Sequence, residues 1–237
     1  MNLTQGGSSS SVRIPLIARA LVAALAVGAF PVVGTAQNAD MPRFPFGTPV
    51  VFVPVQSVEP LPGGGWPGGT AGEEDALRAM DAELEYALGG TRGAEDWALP
   101  ADVIRRVDRN PMLRTDPSRM AYQGLLEKPD KRKQIYEPLH GELRSISALF
   151  DTRYVVLPIS LFVEADPVGP GSSDADSPAG RNGSGPTYRA HLLLAMIDIR
   201  SSTIVWWGEI AGEAGDADSP ALMASLAERV AEAVAPS

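Results

Sequence analysis

The stretch YRAHLLLAMIDIRSSTIVWWGEIA, residues 188–211, decides the fold. Two apolar runs, 188–199 and 203–211, flank a polar connection of three residues, 200–202. Apolar runs joined by so short a link are typical of an antiparallel β-hairpin. Both alternating sets of residues in the first run are mainly apolar, so we expect an inner strand that is covered on each face.

Working outward from the hairpin, the run 154–164 (YVVLPISLFVE) predicts a strong strand, and 49–58 (PVVFVPVQSV) predicts the first strand. Apolar stripes and capping residues predict helices at 73–88, 101–109, 117–126, 138–150 and 220–234. The long crossover between the first two strands favours a parallel pair. We therefore predict an α/β fold, with a mixed sheet of about four to five strands, a C-terminal antiparallel hairpin and helices packed on the faces.

The first 36 residues are typical of a secretory signal peptide. Arg13 and Arg19 precede the apolar run 20–33, and the small residues 34–36 place the cut before Gln37. The run is shorter than the roughly 20 residues of a spanning helix, so we expect no stable membrane span after cleavage and a periplasmic or secreted product. Loss of the two arginines lowers the net charge from −9 to −11.

The mature chain is predicted to have a flexible lead-in at 37–48 and a single α/β domain at 49–235. Mobile loops are expected at the Gly- and Pro-rich segments 59–72 and 166–186. The first loop carries Trp66, and no Lys-Ser or Lys-Thr pair follows its glycines, so it is not a Walker phosphate loop.

Charge and composition narrow the choice of partners. An acidic chain is a poor nucleic-acid binder, and its one basic cluster, 128–133 (KPDKRK), is interrupted by an aspartate and is interpreted as a solvated helix end. The absence of cysteine excludes disulfides, thiolate metal sites and cysteine nucleophiles.

The segment DADSP occurs at 174–178 and again at 216–220, and its carboxylate oxygens could bind calcium. The plain interpretation of the second copy is a cap on the last helix.

No catalytic, cofactor-binding or metal-binding residue is predicted. His140 is interpreted as a helix-surface residue, and His191 as a buried, hydrogen-bonded histidine, with a catalytic base as the alternative. Asp198 is expected to organise the hairpin turn beside Arg200 by accepting backbone N–H bonds. Trp207 points to the opposite strand face from its neighbour Trp206.

Four residues are the candidates for contact with a partner or ligand: Trp66, Trp207, Asp198 and Arg200.

The order of elements resembles a group of bacterial envelope domains of the TolB N-terminal, LpoB and CsgG type. The resemblance rests on the opening strand V-F-V-P-V at 51–55, the strand at 150–157 and the hairpin at 195–206. It implies an exported α/β domain that binds proteins and catalyses nothing. The chain lacks the lipidation cysteine of two of these proteins, carries an inserted helical stretch at 101–133 and has no recognisable propeller. No site residue is carried over.

Three functions are compatible with these features. The first is an exported cell-envelope interaction or assembly module with an envelope protein partner and without catalytic activity. The second is a small-ligand or glycan binder that uses Trp66, Trp97 or Trp207 as a stacking platform. The third is a hydrolase, which requires a cleft where His191 or Asp198 meets a second ionisable group.

Overall fold

The computed structural model describes residues 41–59, 70–126, 134–165, 187–215 and 220–236. The elements in chain order are β1 (Val50–Phe52), β2 (Ser57–Val58), α1 (Thr70–Gly89), α2 (Pro100–Asp108), α3 (Gln123–Leu126), α4 (Leu139–Phe150), β3 (Tyr154–Ala165), β4 (Tyr188–Asp198), β5 (Thr203–Gly215) and α5 (Pro220–Val234). The predicted signal segment, the loop with Trp66, the basic cluster and the loop 166–186 lie outside the described residues.

The strands of the described ranges form one mixed sheet of five strands. β1 and β2 both run parallel to β3, while β4 is antiparallel to β3 and β5 is antiparallel to β4. The predicted α/β class, the parallel first pair and the closing antiparallel hairpin are therefore confirmed.

The helices cover the sheet from two sides. On one face, Met80 and Leu84 of α1 and Leu226 of α5 are fully buried against the sheet. On the other face, Val103 of α2 and Leu143 of α4 are fully buried in a second cluster. The long apolar run of β4 is explained by this cover, because its two alternating sets of residues enter different cores.

The predicted first strand is divided into β1 and β2. Pro54 brings no N–H to a ladder, and the N–H of Val55 donates to Asp81 Oδ1 of α1 at 2.9 Å instead of to β3. Pairing resumes at Gln56, whose N–H donates to the carbonyl of Pro158 at 3.1 Å. A proline and a carboxylate on the covering helix thus interrupt what the sequence predicts as one strand.

The helix predicted at 117–126 is wrong for most of its length, because α3 has only four residues. The buried side chain of Gln56 holds residues 117–120, which precede α3, in an irregular turn. Its Nε2 donates to the carbonyl of Pro117 at 2.9 Å, and its Oε1 accepts the N–H of Met120 at 2.7 Å. A side-chain amide from the sheet edge therefore takes the backbone groups that a helix would have paired internally.

Strand β5 contains one extra residue beside β4. Met196 pairs with Trp206 and Ile197 with Ile204, so Val205 is a bulge and 44% of it is exposed. Regular strand alternation would place Ile204 on the same face as Trp206, but because of the bulge the two lie in different clusters. The hairpin was predicted correctly, but the bulge reverses the alternation on one side of it.

Glycine lets α5 approach β5 closely. A Cβ added at Gly212 would lie 2.9 Å from the backbone N of Leu226.

None of the helices in the described ranges is long and apolar enough to cross a bilayer.

Candidate functional site

Asp198 is the last residue of β4, and Arg200 lies in the turn between β4 and β5. Asp198 is 5% exposed, and its Oδ2 accepts bonds from Arg153 at 3.0 Å (Nε) and 2.5 Å (Nη2). Its Oδ1 accepts the N–H of Arg200 at 3.0 Å, so Asp198 organises the turn as the sequence predicts. The bond from Arg153 holds the pKa of Asp198 below its usual value against the opposing effect of burial.

The tryptophan candidates fall into different environments. Trp97 is 6% exposed and packs against Phe44 and Phe52, with ring centroids 5.8 and 5.3 Å away. It is a core residue and cannot be the stacking platform considered for it. Trp207 is partly buried at the margin of the second cluster, and Trp66 lies outside the described residues.

His191 forms a polar and aromatic group on the same face as Trp207. Its ring stacks on that of Phe162, its direct partner on β3, with centroids 5.0 Å apart and planes 10° apart. Its Nδ1 lies 2.6 Å from Glu209 Oε1 of β5. The histidine is buried and hydrogen-bonded, as the sequence predicts.

The β-strand alternation explains why these side chains meet. Trp207 and Glu209 are two residues apart on β5, and Leu193 and His191 are two residues apart on β4. Leu193 and Trp207 contact the cluster beneath α2 and α4, whereas His191, Glu209 and Phe162 are not part of it. We call this surface the outer face: Phe162, His191, Leu193, Trp207 and Glu209.

The outer face can bind but has few groups for chemistry. An ionised carboxylate cannot donate, so the Nδ1–H of His191 donates to Glu209. No buried side-chain nitrogen or oxygen lacks a partner in the described ranges, and Nδ1 is the ring nitrogen that is bonded, so Nε2 reaches solvent. The face therefore offers aromatic surface beside a hydrogen-bonding imidazole, with the partly exposed Glu209 carboxylate adding negative charge.

The structure does not bring His191 and Asp198 together. They stand seven residues apart on β4, which corresponds to roughly 23 Å along a strand. Surface cavities of about 560, 790 and 260 Å³ lie elsewhere, beside Arg106 of α2, Tyr86 of α1 and Glu213 of β5. Each residue does meet a second ionisable group, His191 with Glu209 and Asp198 with Arg153, but neither lines one of these three cavities, as the hydrolase hypothesis requires.

Sequence reasoning missed the surroundings of His140. This residue in the first turn of α4 contacts the hairpin, with Nε2 2.9 Å from Ser202 Oγ and Nδ1 3.4 Å from Glu137 Oε1. The spacing of Glu137 and His140 could have indicated their contact, because residues three apart are neighbours at a helix start. Ser202 lies 62 residues away in sequence and carries no local signal.

Asp81 is the titratable group most perturbed by burial. Burial raises the pKa of Asp81 to about 7, although the bond from the N–H of Val55 lowers it, and nearby Glu85 raises it further. Within the described ranges, no three His, Asp or Glu side chains stand close enough to hold a metal ion. The first DADSP segment and residues 216–219 of the second lie outside those ranges.

Comparison with known proteins gives structural neighbours only. No family model matches the chain, and no curated protein matches it. The structure is similar to the PelC dodecamer from Paraburkholderia phytofirmans, with 14% identity, coverage of 83% of this chain and 94% of that chain, and a TM-score of 0.37.

Two further solved structures are similar to this one. The LpoB C-terminal domain from Salmonella enterica is 13% identical, with coverage of 71% of this chain and 84% of that chain and a TM-score of 0.31. A lipoprotein from Neisseria meningitidis is 14% identical, with coverage of 78% and 96% and a TM-score of 0.35. The weak resemblance to the LpoB type noted from the sequence thus recurs among the structural neighbours.

Proposed function

We propose that the chain is an exported cell-envelope module that binds an envelope protein partner through the outer face. The observation that carries this proposal is the pairing of partly exposed aromatic rings, Phe162 and Trp207, with the His191–Glu209 pair on one sheet surface. The proposal assigns no catalytic step to this surface. It also includes export, which rests on the residues before Gln37.

The composition of the outer face suits a protein contact. Aromatic side chains bury large areas at low entropic cost and are enriched among the residues that dominate binding energy. His191 and Glu209 add directional groups that a mismatched partner would leave unpaired. Leu193, which lies between these groups on the outer face, adds apolar surface.

Site-specific photo-crosslinking in intact envelopes tests the binding role. A benzophenone amino acid placed at Glu164 should give one discrete adduct, because that residue is exposed on β3 two positions from Phe162 and its replacement leaves the His191–Glu209 pair intact. The matched control is the same amino acid at Glu74, which is exposed on α1 at the opposite face of the sheet. Substitution of Phe162 by Ala should weaken the Glu164 adduct. Equal adduct patterns from both positions would refute the assignment.

Export is tested separately by N-terminal sequencing of the protein isolated from its cells. A mature chain that begins at Gln37 supports export, and an intact Met1 argues against it.

A glycan-binding role is the second candidate, because Trp207 is partly exposed on the same sheet face as His191. Titration with envelope glycans should change tryptophan fluorescence in the native chain and not in Trp207→Phe. Unchanged fluorescence throughout would leave the protein-binding proposal alone.

A further inference from the structure

A serine, a histidine and a glutamate stand in line at the hairpin end of the sheet. Ser202 Oγ lies 2.9 Å from His140 Nε2, and His140 Nδ1 lies 3.4 Å from Glu137 Oε1. A carboxylate beside Nδ1 favours the tautomer with the proton on Nδ1, which leaves the lone pair of Nε2 to accept the Ser202 hydroxyl proton. The order is that of a nucleophile, its base and a group that orients the base.

The backbone of the turn fixes the position of Ser202. Ser202 has φ 55°, a left-handed conformation that glycine adopts freely and serine adopts at an energetic cost. The turn is fixed on both sides, since the Ser202 N–H donates to Ile199 at 3.3 Å and its carbonyl accepts from Ile135 at 3.0 Å. Serine thus occupies a position that glycine suits better, and its hydroxyl lies within hydrogen-bond distance of the His140 imidazole.

Gly141 leaves room for the orienting carboxylate. Glu137 Oε2 accepts the N–H of Gly141 at 3.1 Å, and Oε1 of the same carboxylate faces His140. A Cβ added at position 141 would lie 2.8 Å from Oε2 and would push the carboxylate aside. Glycine inside a helix lowers helix stability, so its presence here trades stability for the position of Glu137.

We propose that Ser202 is an acyl-accepting nucleophile, with His140 as its general base and Glu137 as the residue that positions His140. This activity goes beyond the binding role proposed above and uses none of the outer face. Ser202 is partly buried in an exposed turn, so the substrate class is a solvent-accessible ester or another activated acyl group. This proposed activity differs from the expectation, drawn from the sequence, that the chain has no catalytic activity.

The reaction balances with water as the only co-reactant. Ser202 Oγ bonds to the acyl carbon while its proton passes to His140 Nε2. The bond from the acyl carbon to the leaving alkoxide breaks, and the alkoxide takes that proton from His140. Water, deprotonated by the same Nε2, then cleaves the acyl-serine, which releases the acid and restores the Ser202 hydroxyl.

The test treats the purified full chain with a fluorophosphonate probe and locates the adduct by mass spectrometry. One adduct on Ser202 is expected. Ser202→Gly should abolish it and still fold, because glycine suits the turn, whereas Ser201→Ala should be labelled at the native rate. His140→Gln should slow labelling by about 100-fold, the lower range of general-base effects.

The variant Gly141→Ala tests whether the Glu137–His140 contact supports the reactivity of Ser202 or only the stability of the fold. It should raise the melting temperature, because alanine favours the helix, and slow labelling by roughly ten-fold or more, because the carboxylate is displaced. A native chain that stays unlabelled would overturn the proposal. Labelling that persists in Ser202→Gly, or that is unchanged in both His140→Gln and Gly141→Ala, would do so too. Failure of the photo-crosslinking experiment on the outer face would not affect the labelling of Ser202. The binding proposal and the nucleophile proposal can therefore fail independently.

Discussion

Replacing Asp81 by asparagine should stabilise the protein above neutral pH. Asp81 lies on α1 opposite the break between β1 and β2, where its Oδ1 accepts the N–H of Val55 at 2.9 Å. Burial raises its pKa from 3.8 to about 7. Asparagine keeps an oxygen acceptor for Val55 and carries no charge, so the substitution removes the ionisation and retains the contact.

The raised pKa fixes the sign of the effect. The folded protein holds the Asp81 proton more tightly than the unfolded chain does, so this stabilising effect is complete below pH 3.8 and is lost as pH rises towards 7 and above. At about 1.4 kcal/mol per pKa unit, the shift corresponds to about 4 kcal/mol in total, of which roughly 2.5 kcal/mol is lost between pH 5 and pH 8. The free energy of unfolding of Asp81→Asn, relative to the native chain, should therefore increase by about 2 to 3 kcal/mol across this interval.

Urea unfolding at pH 5, 6, 7 and 8 measures this difference directly. Taking the difference between variant and native chain cancels the other titrating groups. Glu83→Gln, two residues further along α1, is the matched control and should give a nearly constant difference. A difference for Asp81→Asn that does not change with pH, or a variant less stable than the native chain at pH 8, would refute the reasoning.

Two other substitutions test the packing and the turn. Gly212→Ala should lower the free energy of unfolding by about 1 to 3 kcal/mol, because its Cβ would meet backbone atoms of Leu226, and Gly215→Ala, with ordinary contacts, should change it far less in thermal melts. Asp198→Asn should cost about 1 to 3 kcal/mol at pH 7, since it weakens a charged hydrogen bond from Arg153. The pKa of Asp198 is lowered in the folded state, so its stabilisation exists above the unfolded pKa and disappears as pH falls. The deficit of Asp198→Asn should shrink in acid, and a deficit that is constant down to pH 2 would contradict this assignment.

Local pattern was sufficient to predict the hairpin, the paired first and third strands and the closing helix. Apolar alternation and helical stripes act within a few residues, and both are visible in 188–211 and 220–234. The predictions that failed, the helix at 117–126 and the unbroken strand at 49–58, depend on groups that are distant in sequence. Gln56 reshapes the turn at 117–120 across the fold, and Asp81 removes Val55 from the sheet.

The candidate sites divide in the same way. Strand alternation alone is enough to place Trp207 and Glu209 on one face, because they stand two residues apart on β5. The contact of His191 with Glu209 requires the register between β4 and β5, which alternation alone does not determine. The line of Ser202, His140 and Glu137 requires α4 to meet the hairpin turn, and no short motif records that meeting.

The extra residue at Val205 shifts the side-chain alternation of β5 by one position. Because of it, Ile204 and Trp206 enter different cores although they stand two residues apart. If the pairing became regular with Val205 retained, Ile204 would exchange one sheet surface for the other and leave the core it now fills. Deletion of Val205 would instead leave Ile204 opposite Ile197, so the core should tolerate the loss of this residue better than a slip of the hairpin register.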